Sequence, residues 1–558
     1  MVKRVLSFVG REVSGLHEAA YLLAASAVAS LVFALVRDRL LAHMLGAGTE
    51  LDVYYAAFRV PDLIFVAVAG LVSTSVLVPL LSVDREKGEG ELRASIQSLF
   101  SAFSLFILAV CIVAWILLPW IDRALYPALF ARGAGMTLVG VSRILLLSPI
   151  LLGLSGFFAS ITQIKNRFLV YALATPLYNV GIIFGIVFLL PRFGVAGIAW
   201  GVAIGAALLC LAQLPFVARD GLLPRLSLRI SWAKVRSVAA LSVPRTVTLS
   251  SQQATTLSLV SFASYLGAGS ISIYNLALNL QSVPLSVIGA SYSSAAFPAL
   301  AKLLAEGKRE EFLGRVASAA RHIIFWSVPA SVLFIVLRAQ IVRTVLGTGQ
   351  FSWSDTRLTA AALALFVVSS AGQSLMLLFV RSFYAEGKTR KPLLINVATT
   401  VVTVILGAAL VKAFHAFPTF AFFIQNLLKT DGASDSSVLM LPLAFSCGAL
   451  LNLYLHWRSF SREFPAFTGL VRRSAFRTVG ASVVGGYAAY LSLRLFAGYF
   501  DLGTAVGVFL QGLCAGAAGL CIMGLVATAL KSDELRIVLA TIHQKIWRID
   551  RTSLDQSL

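Results

Sequence analysis

The chain has 558 residues, 58% of them apolar and only 13% charged. A water-soluble domain is about 45–50% apolar and about 25% charged, so an ordinary soluble enzyme and a disordered chain are both excluded. Lys and Arg number 46 against 25 Asp and Glu, a net charge of +21, and on so apolar a chain that excess is first a question of membrane topology.

Residues 1–17 lack the form of a signal peptide, because Arg11 and Glu12 interrupt any apolar core. Val2, Val5, Leu6, Val9, Val13 and Leu16 share one helical face, which predicts a helix lying on the cytoplasmic leaflet. Fourteen segments then follow that are long and apolar enough to span a bilayer, which takes about 20 residues. They cover 18–45, 51–82, 95–121, 137–163, 168–191, 194–218, 237–266, 270–303, 316–346, 357–385, 392–414, 437–457, 475–498 and 503–530. The runs do not alternate, which argues against a β-barrel.

Placing the termini and even-numbered loops on one side gives that side 32 of the 46 basic residues. Such a bias predicts an even number of spans with both ends in the cytoplasm. The stretch Leu223 to Arg236 alternates apolar and basic residues and reads as an amphipathic linker at the membrane surface.

The chain also repeats itself. Leu45-Gly46-Ala47-Gly48 introduces the second span and Leu266-Gly267-Ala268-Gly269 the eighth. Pro61 and Pro284 follow in mid-span, and Pro79 and Pro298 near the cytoplasmic ends. Lys165-Asn166-Arg167-Phe168 has its counterpart in Lys388-Thr389-Arg390-Lys391. Six spans separate the copies, so the expected fold is an all-α polytopic membrane protein with two six-helix lobes and two extra C-terminal helices. The expected divisions are an interfacial helix (1–17), an N-lobe (18–218), a linker (219–236), a C-lobe (237–457), two further helices (458–530) and a basic cytoplasmic tail (531–558). Repeats of this kind are a transporter signature, with the substrate site between the lobes.

Charges inside the bilayer are costly and mark candidate sites. Arg37, Asp38 and Arg39 lie late in the first span, Arg59 lies two residues before Pro61, and Arg143 and Arg245 lie near the starts of the fourth and seventh. Around Pro284 stand Asn275, Asn279, Gln281 and Ser282. Arginine suits a cavity that accepts an anionic head group, because its planar fork binds phosphate oxygens and stays charged when desolvated. Each arginine also has a plainer reading. Arg37 can pair with Asp38 or Asp52, Arg59 with Asp62 at i+3, and Arg39, Arg143 and Arg245 can sit at an interface. Asn279 and Gln281 can serve as interhelical hydrogen bonds. Gly46, Gly48, Pro61 and Pro284 are candidate hinges.

Cys111, Cys210, Cys447, Cys514 and Cys521 all fall in apolar spans and read as buried thiols. The six histidines show no metal-ligand spacing. No P-loop, G-x-S-x-G or H-E-x-x-H motif occurs, which argues against an ATP-driven pump and against an enzyme. No cofactor, metal or nucleic acid is expected.

Val36-Arg37-Asp38-Arg39-Leu40-Leu41, Leu51-Asp52-Val53-Tyr54 and Ala57-Phe58-Arg59-Val60-Pro61-Asp62-Leu63 resemble the opening of the MurJ (MviN) lipid II flippases. Val243-Pro244-Arg245-Thr246, Asn279-Leu280-Gln281 with Pro284, Ala296-Phe297-Pro298 and Phe383-Tyr384-Ala385 resemble later stretches of that family. The resemblance runs from about residue 18 to 530. It implies the fold of the multidrug/oligosaccharidyl-lipid/polysaccharide (MOP, MATE-like) exporter superfamily, with the last two helices forming a groove for a lipid tail. It implies movement of lipid II from the inner to the outer leaflet of the bacterial plasma membrane for peptidoglycan synthesis, by a monomer among membrane lipids.

The family's first-helix cavity arginine matches Arg37, followed by Asp38, and its basic residue before the second-helix proline matches Arg59. Arg245, Asn279, Gln281 and Ser282 are expected to line the path. Membrane potential is the expected driving force, with a monovalent cation as a further candidate. The chain also departs from the family pattern. Phe65, Ala69, Asn279 and Ser282 stand where many members carry Arg or Glu, and Lys388 stands where an acidic residue is usual. A flippase for another polyprenyl-linked sugar, of O-antigen or capsule type, and a non-transporting scaffold for wall synthesis are the alternatives.

Overall fold

The computed structural model describes residues 16–69, 74–165, 167–227, 230–433 and 435–547; the expected helix at 1–17 and the last part of the basic tail lie largely outside them. Among the described residues the regular structure is helical, with no strand. This is the physical expectation for apolar runs in lipid, where a helix satisfies its own backbone groups.

In chain order the helices are α1 (Leu16–Leu45), α2 (Thr49–Ala57), α3 (Arg59–Ala69), α4 (Thr74–Glu86), α5 (Glu89–Leu125), α6 (Pro127–Ala131), α7 (Gly135–Leu145), α8 (Leu147–Ile164), α9 (Phe168–Phe184), α10 (Leu190–Phe193), α11 (Val195–Arg219) and α12 (Trp232–Ser264). There follow α13 (Ser270–Pro284), α14 (Ser291–Ala305), α15 (Arg309–Val336), α16 (Arg338–Val345), α17 (Trp353–Val367), α18 (Ser370–Ala385), α19 (Arg390–Ala416), α20 (Pro418–Leu428), α21 (Met440–Glu463), α22 (Phe467–Phe496), α23 (Ala505–Ala529) and α24 (Asp533–Trp547).

Among the described residues ten of the resulting rods are long and apolar enough to cross a membrane, and α17 with α18, bent by 41°, makes an eleventh. The three other expected spans fall on α1, on the chain of short helices α2, α3 and α4, and on α12. These helices are consistent with the expected fourteen. α12 is rich in hydroxyls and amides, with Ser250, Ser251, Gln252, Gln253, Thr255 and Thr256 in succession or close to it.

The described residues pack as two compact units. The first comprises Met1–Leu276, Val345–Thr359 and Thr389–Ala444, and the second Ala277–Thr344, Ala360–Lys388 and Phe445–Leu558. In the first unit α9, with the π-helical turn Gly185–Leu189 that continues it, meets α11 backbone to backbone along two glycine rows, Gly181 and Gly185 against Gly197, Gly201 and Gly205. A Cβ on Gly181 would lie 2.2 Å from the Gly205 Cα, and one on Gly201 2.5 Å from the Gly185 Cα. Small residues at i and i+4 let membrane helices approach this closely. At the charged end of the same unit, Ser227 and Ser231 donate their backbone N–H groups to Ser101 and Ser98 of α5, at 2.9 and 2.8 Å. Lys234 of α12 pairs with Asp84 at 3.2 Å and Glu91 at 2.6 Å. Residues 222–227, within the expected linker, carry no helix.

The second unit centres on the fully buried rings of Phe379, Phe383, Phe460 and Phe467: Phe383 and Phe467 meet Phe460 edge-on, Phe379 meets it at a tilt, and Phe379 meets Phe467 edge-on. Helix α24 is fastened to it by the buried Glu534. Its carboxylate accepts from the Ser474 hydroxyl at 2.8 Å and the Ser532 hydroxyl at 3.0 Å, and pairs with Arg321 at 3.5 Å. Burial works to raise this carboxyl. The backbone amide of Glu534, the two hydroxyls and Arg321 outweigh it and hold the group below the usual carboxylate range.

One expectation is corrected here. Cys111 and Cys210 are buried, but Cys447 and Cys521 are exposed. An apolar run in a membrane protein is apolar on all sides, so it does not say which face is packed.

Candidate functional site

Within the first unit the sequence-picked arginines of α1 and α3 have different partners. Arg37 is held by its own neighbour: its guanidinium lies 2.8 Å from an Asp38 carboxylate oxygen, and its Nε donates to the same oxygen at 2.9 Å. A second amino group donates to the Asn179 side-chain oxygen at 3.1 Å. Asn179 in turn donates to the Ser30 carbonyl at 3.3 Å, which ties α9 back to α1. Of the two carboxylates open to Arg37 from sequence, Asp38 is the one it pairs with. Asp38 is 3% exposed, so the pair is a largely desolvated one.

Arg59 starts α3 after the break at Phe58. Pro61 fits there because a helix's first turn needs no donor from its third residue. Arg59 donates to the side-chain oxygen of Asn275, and its Nε is buried without a hydrogen-bond partner. No ion pair joins Arg59 to Asp62 or to another carboxylate among the described residues. This separates the two arginines chemically. Arg37 is hydrogen-bonded to a carboxylate, whereas the hydrogen bond of Arg59 goes to a neutral amide. Asn275 is itself fixed, because its amide nitrogen donates to the Ile271 carbonyl at 2.7 Å. Sequence reasoning placed Asn275 near Pro284 and did not connect it to Arg59. The two are 216 positions apart, and nothing local signals the contact.

The same unit carries a junction between the two repeats. Gly46 has φ +62° and Gly269 φ +89°, both left-handed, and a Cβ on Gly269 would lie 2.2 Å from the Ala47 carbonyl oxygen. Gly48 is extended, so of the two proposed glycine hinges here only Gly46 needs a conformation that other residues avoid. Asp52 of α2 caps the start of α13 across this contact. Its carboxylate accepts from the Gly269 N–H at 2.7 Å, the Ser272 N–H at 2.8 Å and the Ser272 hydroxyl at 2.7 Å. Asp435 accepts from the Gly267 N–H at 2.8 Å. A helix's first N–H groups lack internal partners, so a carboxylate supplied from another helix caps it as its own N-cap residue would.

Each hydrogen bond to a charged group contributes about 1.5–3 kcal/mol. Asp52→Ala is therefore expected to lower the thermal midpoint of the detergent-purified protein by several degrees or more. Asp52→Asn, which keeps one acceptor, should fall between it and wild type. An Asp52→Ala protein that melts with wild type would show that the cap contributes nothing.

Asn279, Gln281 and Ser282 belong to the second unit. Gln281 is 1% exposed, and its amide nitrogen has no hydrogen-bond partner. Asn279 is half-buried, and Ser282 is exposed and donates to the Asn279 carbonyl at 2.6 Å. Pro284 ends α13 and is followed directly by a π-helical turn, Leu285–Ala290. Proline removes a backbone donor, and a π-helical turn is a local departure from the α-helical ladder. Arg245 lies on α12, and its side chain is outside the described atoms. Lys388 pairs with Glu386 at 2.9 Å and also with Glu463, so its ammonium neutralises two carboxylates.

The family profile described as "Lipid II flippase MurJ" matches residues 41–510. The lipid II flippase MurJ of Burkholderia cenocepacia is 25% identical over 382 residues, covering 67% of this chain and 74% of that protein. The probable lipid II flippase MurJ of Vibrio cholerae is 24% identical over 509 residues, covering 86% and 95%. Among solved structures, "Lipid II flippase MurJ, inward closed conformation" matches with a TM-score of 0.70 at 20% identity, covering 93% of this chain and all of that one. An inward-facing multidrug-resistance MATE transporter of the MOP superfamily matches with a TM-score of 0.61 at 15% identity, covering 79% and 96%. Both structural likenesses concern the fold.

Proposed function

Because the chain belongs to the MurJ family of multi-pass membrane proteins, we propose that it is a lipid II flippase. On this reading it carries the undecaprenyl-diphosphate-linked peptidoglycan precursor from the inner to the outer leaflet of the bacterial plasma membrane. It works as a transporter and catalyses no covalent step. The observation that carries the assignment is the family match across residues 41–510. The buried Arg59, facing a neutral amide, supports it by supplying the kind of group the diphosphate needs.

In the mechanism that follows from these residues, Arg59 receives the diphosphate first, since its charge has no carboxylate to give up. Arg37 joins by exchanging part of its bond with Asp38, and Asn179 keeps its guanidinium oriented during the exchange. Arg245, Asn279, Gln281 and Ser282 line the path of the head group. Gly46, Gly48, Pro61 and Pro284 are the points at which the helices bend during alternating access. The polyprenyl tail stays in the bilayer beside α22 and α23. Both termini lie in the cytoplasm, in keeping with the basic residues on that side, and the protein acts as a monomer. Membrane potential acts on each transferred charge at about 2.3 kcal/mol per 100 mV, and a positive exterior favours outward movement of an anionic head group. A monovalent cation is a second source of drive.

The test is replacement. A bacterium depleted of its essential lipid II flippase should grow when this chain is expressed, and its outer-leaflet lipid II should return to the undepleted level. Growth failure with the protein present in the membrane, together with restored export of an O-antigen or capsule unit in a strain lacking that flippase, would reassign the substrate.

A further inference from the structure

Arg143 is, with Arg39, one of two sequence-picked arginines that the transport reading leaves unused. It stands in a slot of about 360 Å³ between α5, the junction of α7 with α8, and α11, all within the first unit. The walls are apolar: Leu108, Ile112, Trp115, Leu147 and Trp200, each between 39% and 52% exposed. On a chain that crosses a bilayer, outward-facing walls of this kind meet acyl chains. The volume lies in the range of about 300–1,000 Å³ typical of ligand-holding pockets.

The arginine is held at depth. Its guanidinium carbon lies 4.1 Å from the centre of the Trp115 ring, and its Nε donates to the Trp115 carbonyl at 3.3 Å. Arg143 is eight residues into α7 from Gly135, and Trp115 is ten residues before the end of α5. Counted instead from the expected span limits at residues 137 and 121, each is six residues in, about 9 Å at 1.5 Å per residue. A free arginine at such a depth would extend its side chain toward the interface. Stacking on Trp115 keeps this one in the slot. It makes no ion pair with a carboxylate among the described residues, and only one of its five N–H donors has a partner here.

An unpaired cation in the hydrocarbon region is costly, and the anions that a bilayer can bring to it are lipid phosphates. Guanidinium binds phosphate with two parallel hydrogen bonds. Trp115 and Trp200 supply amphipathic rings of the kind that settle near head groups. We propose that this slot binds a phospholipid of the leaflet on the sparsely charged side, its phosphate on Arg143 and an acyl chain along Leu108, Ile112 and Leu147.

The test reads binding and does not depend on the transport assignment. The full chain, purified in detergent, is titrated with palmitoyl-oleoyl phosphatidylglycerol and followed by native mass spectrometry. Wild type should retain one phospholipid at low lipid concentration. Arg143→Leu, and Leu147→Trp, which fills the slot but leaves the arginine in place, should each weaken that first binding step tenfold or more, while Arg143→Lys should keep part of it. Dioleoylglycerol, which lacks the phosphate, should not be retained. Equal retention by wild type and both variants, or equal retention of dioleoylglycerol, would overturn the proposal. Undecaprenyl phosphate displacing the phospholipid at a tenth of its concentration would also overturn it, by giving the slot to the substrate's own tail. If Arg143→Leu does not purify as a monodisperse protein, Leu147→Trp decides alone.

Discussion

Arg59→Ala is expected to abolish rescue of a flippase-depleted strain while the protein still reaches the membrane. Truncating one partner of a desolvated charge pair costs about 2–5 kcal/mol, so the diphosphate should bind at least thirtyfold more weakly. The hydrogen-bond partner that Arg59 leaves behind is the neutral Asn275, still fixed by its bond to the Ile271 carbonyl, so Arg59→Ala should cost less protein than Arg37→Ala. Arg59→Lys should recover little, since an ammonium lacks the planar fork that meets two phosphate oxygens.

Arg37→Ala should behave differently. It removes the ion-pair partner of Asp38, which is 3% exposed, so it should reduce protein level as well as activity. Adding Asp38→Asn should restore the level, and whatever activity remains missing then measures the contribution of Arg37 to the head group. Outer-leaflet accessibility of lipid II, normalised to the amount of flippase, is the quantity to compare. Full activity of Arg59→Ala would remove this residue from the path.

The contrast between the two arginines shows what a sequence can carry. Both were visible as charges inside apolar runs, because the cost of an intramembrane charge makes its position informative. The choice between Asp38 and Asp52 as partner of Arg37 was not visible. Both are acidic and near in sequence, and only the fold turns Asp52 away to cap α13. Asp62 satisfied the helical spacing rule for Arg59, yet the partner is Asn275, which the chain brings back after six further spans. The Gly-Ala-Gly repeat was legible as a repeat. That its two copies touch, with Gly269 against Ala47, is a tertiary fact with no local signal. Likewise the helical, membrane-spanning fold follows from composition alone. Which faces are packed does not, as exposed Cys447 and Cys521 show.

The glycine rows of α9 and α11 were also within reach of the sequence, since Gly181 and Gly185 and then Gly197, Gly201 and Gly205 recur at intervals of four. Their weight comes from what they allow. α9 carries Asn179 to Arg37, and α9 keeps its place because its glycines meet those of α11 without side chains between them. Gly201→Leu is therefore expected to be more damaging than any arginine change. Even its first carbon would lie 2.5 Å from the Gly185 Cα, and backbone cannot rotate away as a side chain can. Overpacking a core usually costs about 1–3 kcal/mol, and separating two backbones would exceed that range. The variant should be recovered in low yield, aggregate on size-exclusion chromatography and fail to rescue growth. Gly140→Leu is the matched control, on α7 of the same unit, where an added Cβ meets nothing within 4 Å. If Gly201→Leu and Gly140→Leu elute and melt alike, the α9–α11 contact does not set the position of Asn179, and Arg37 must be oriented by Asp38 alone.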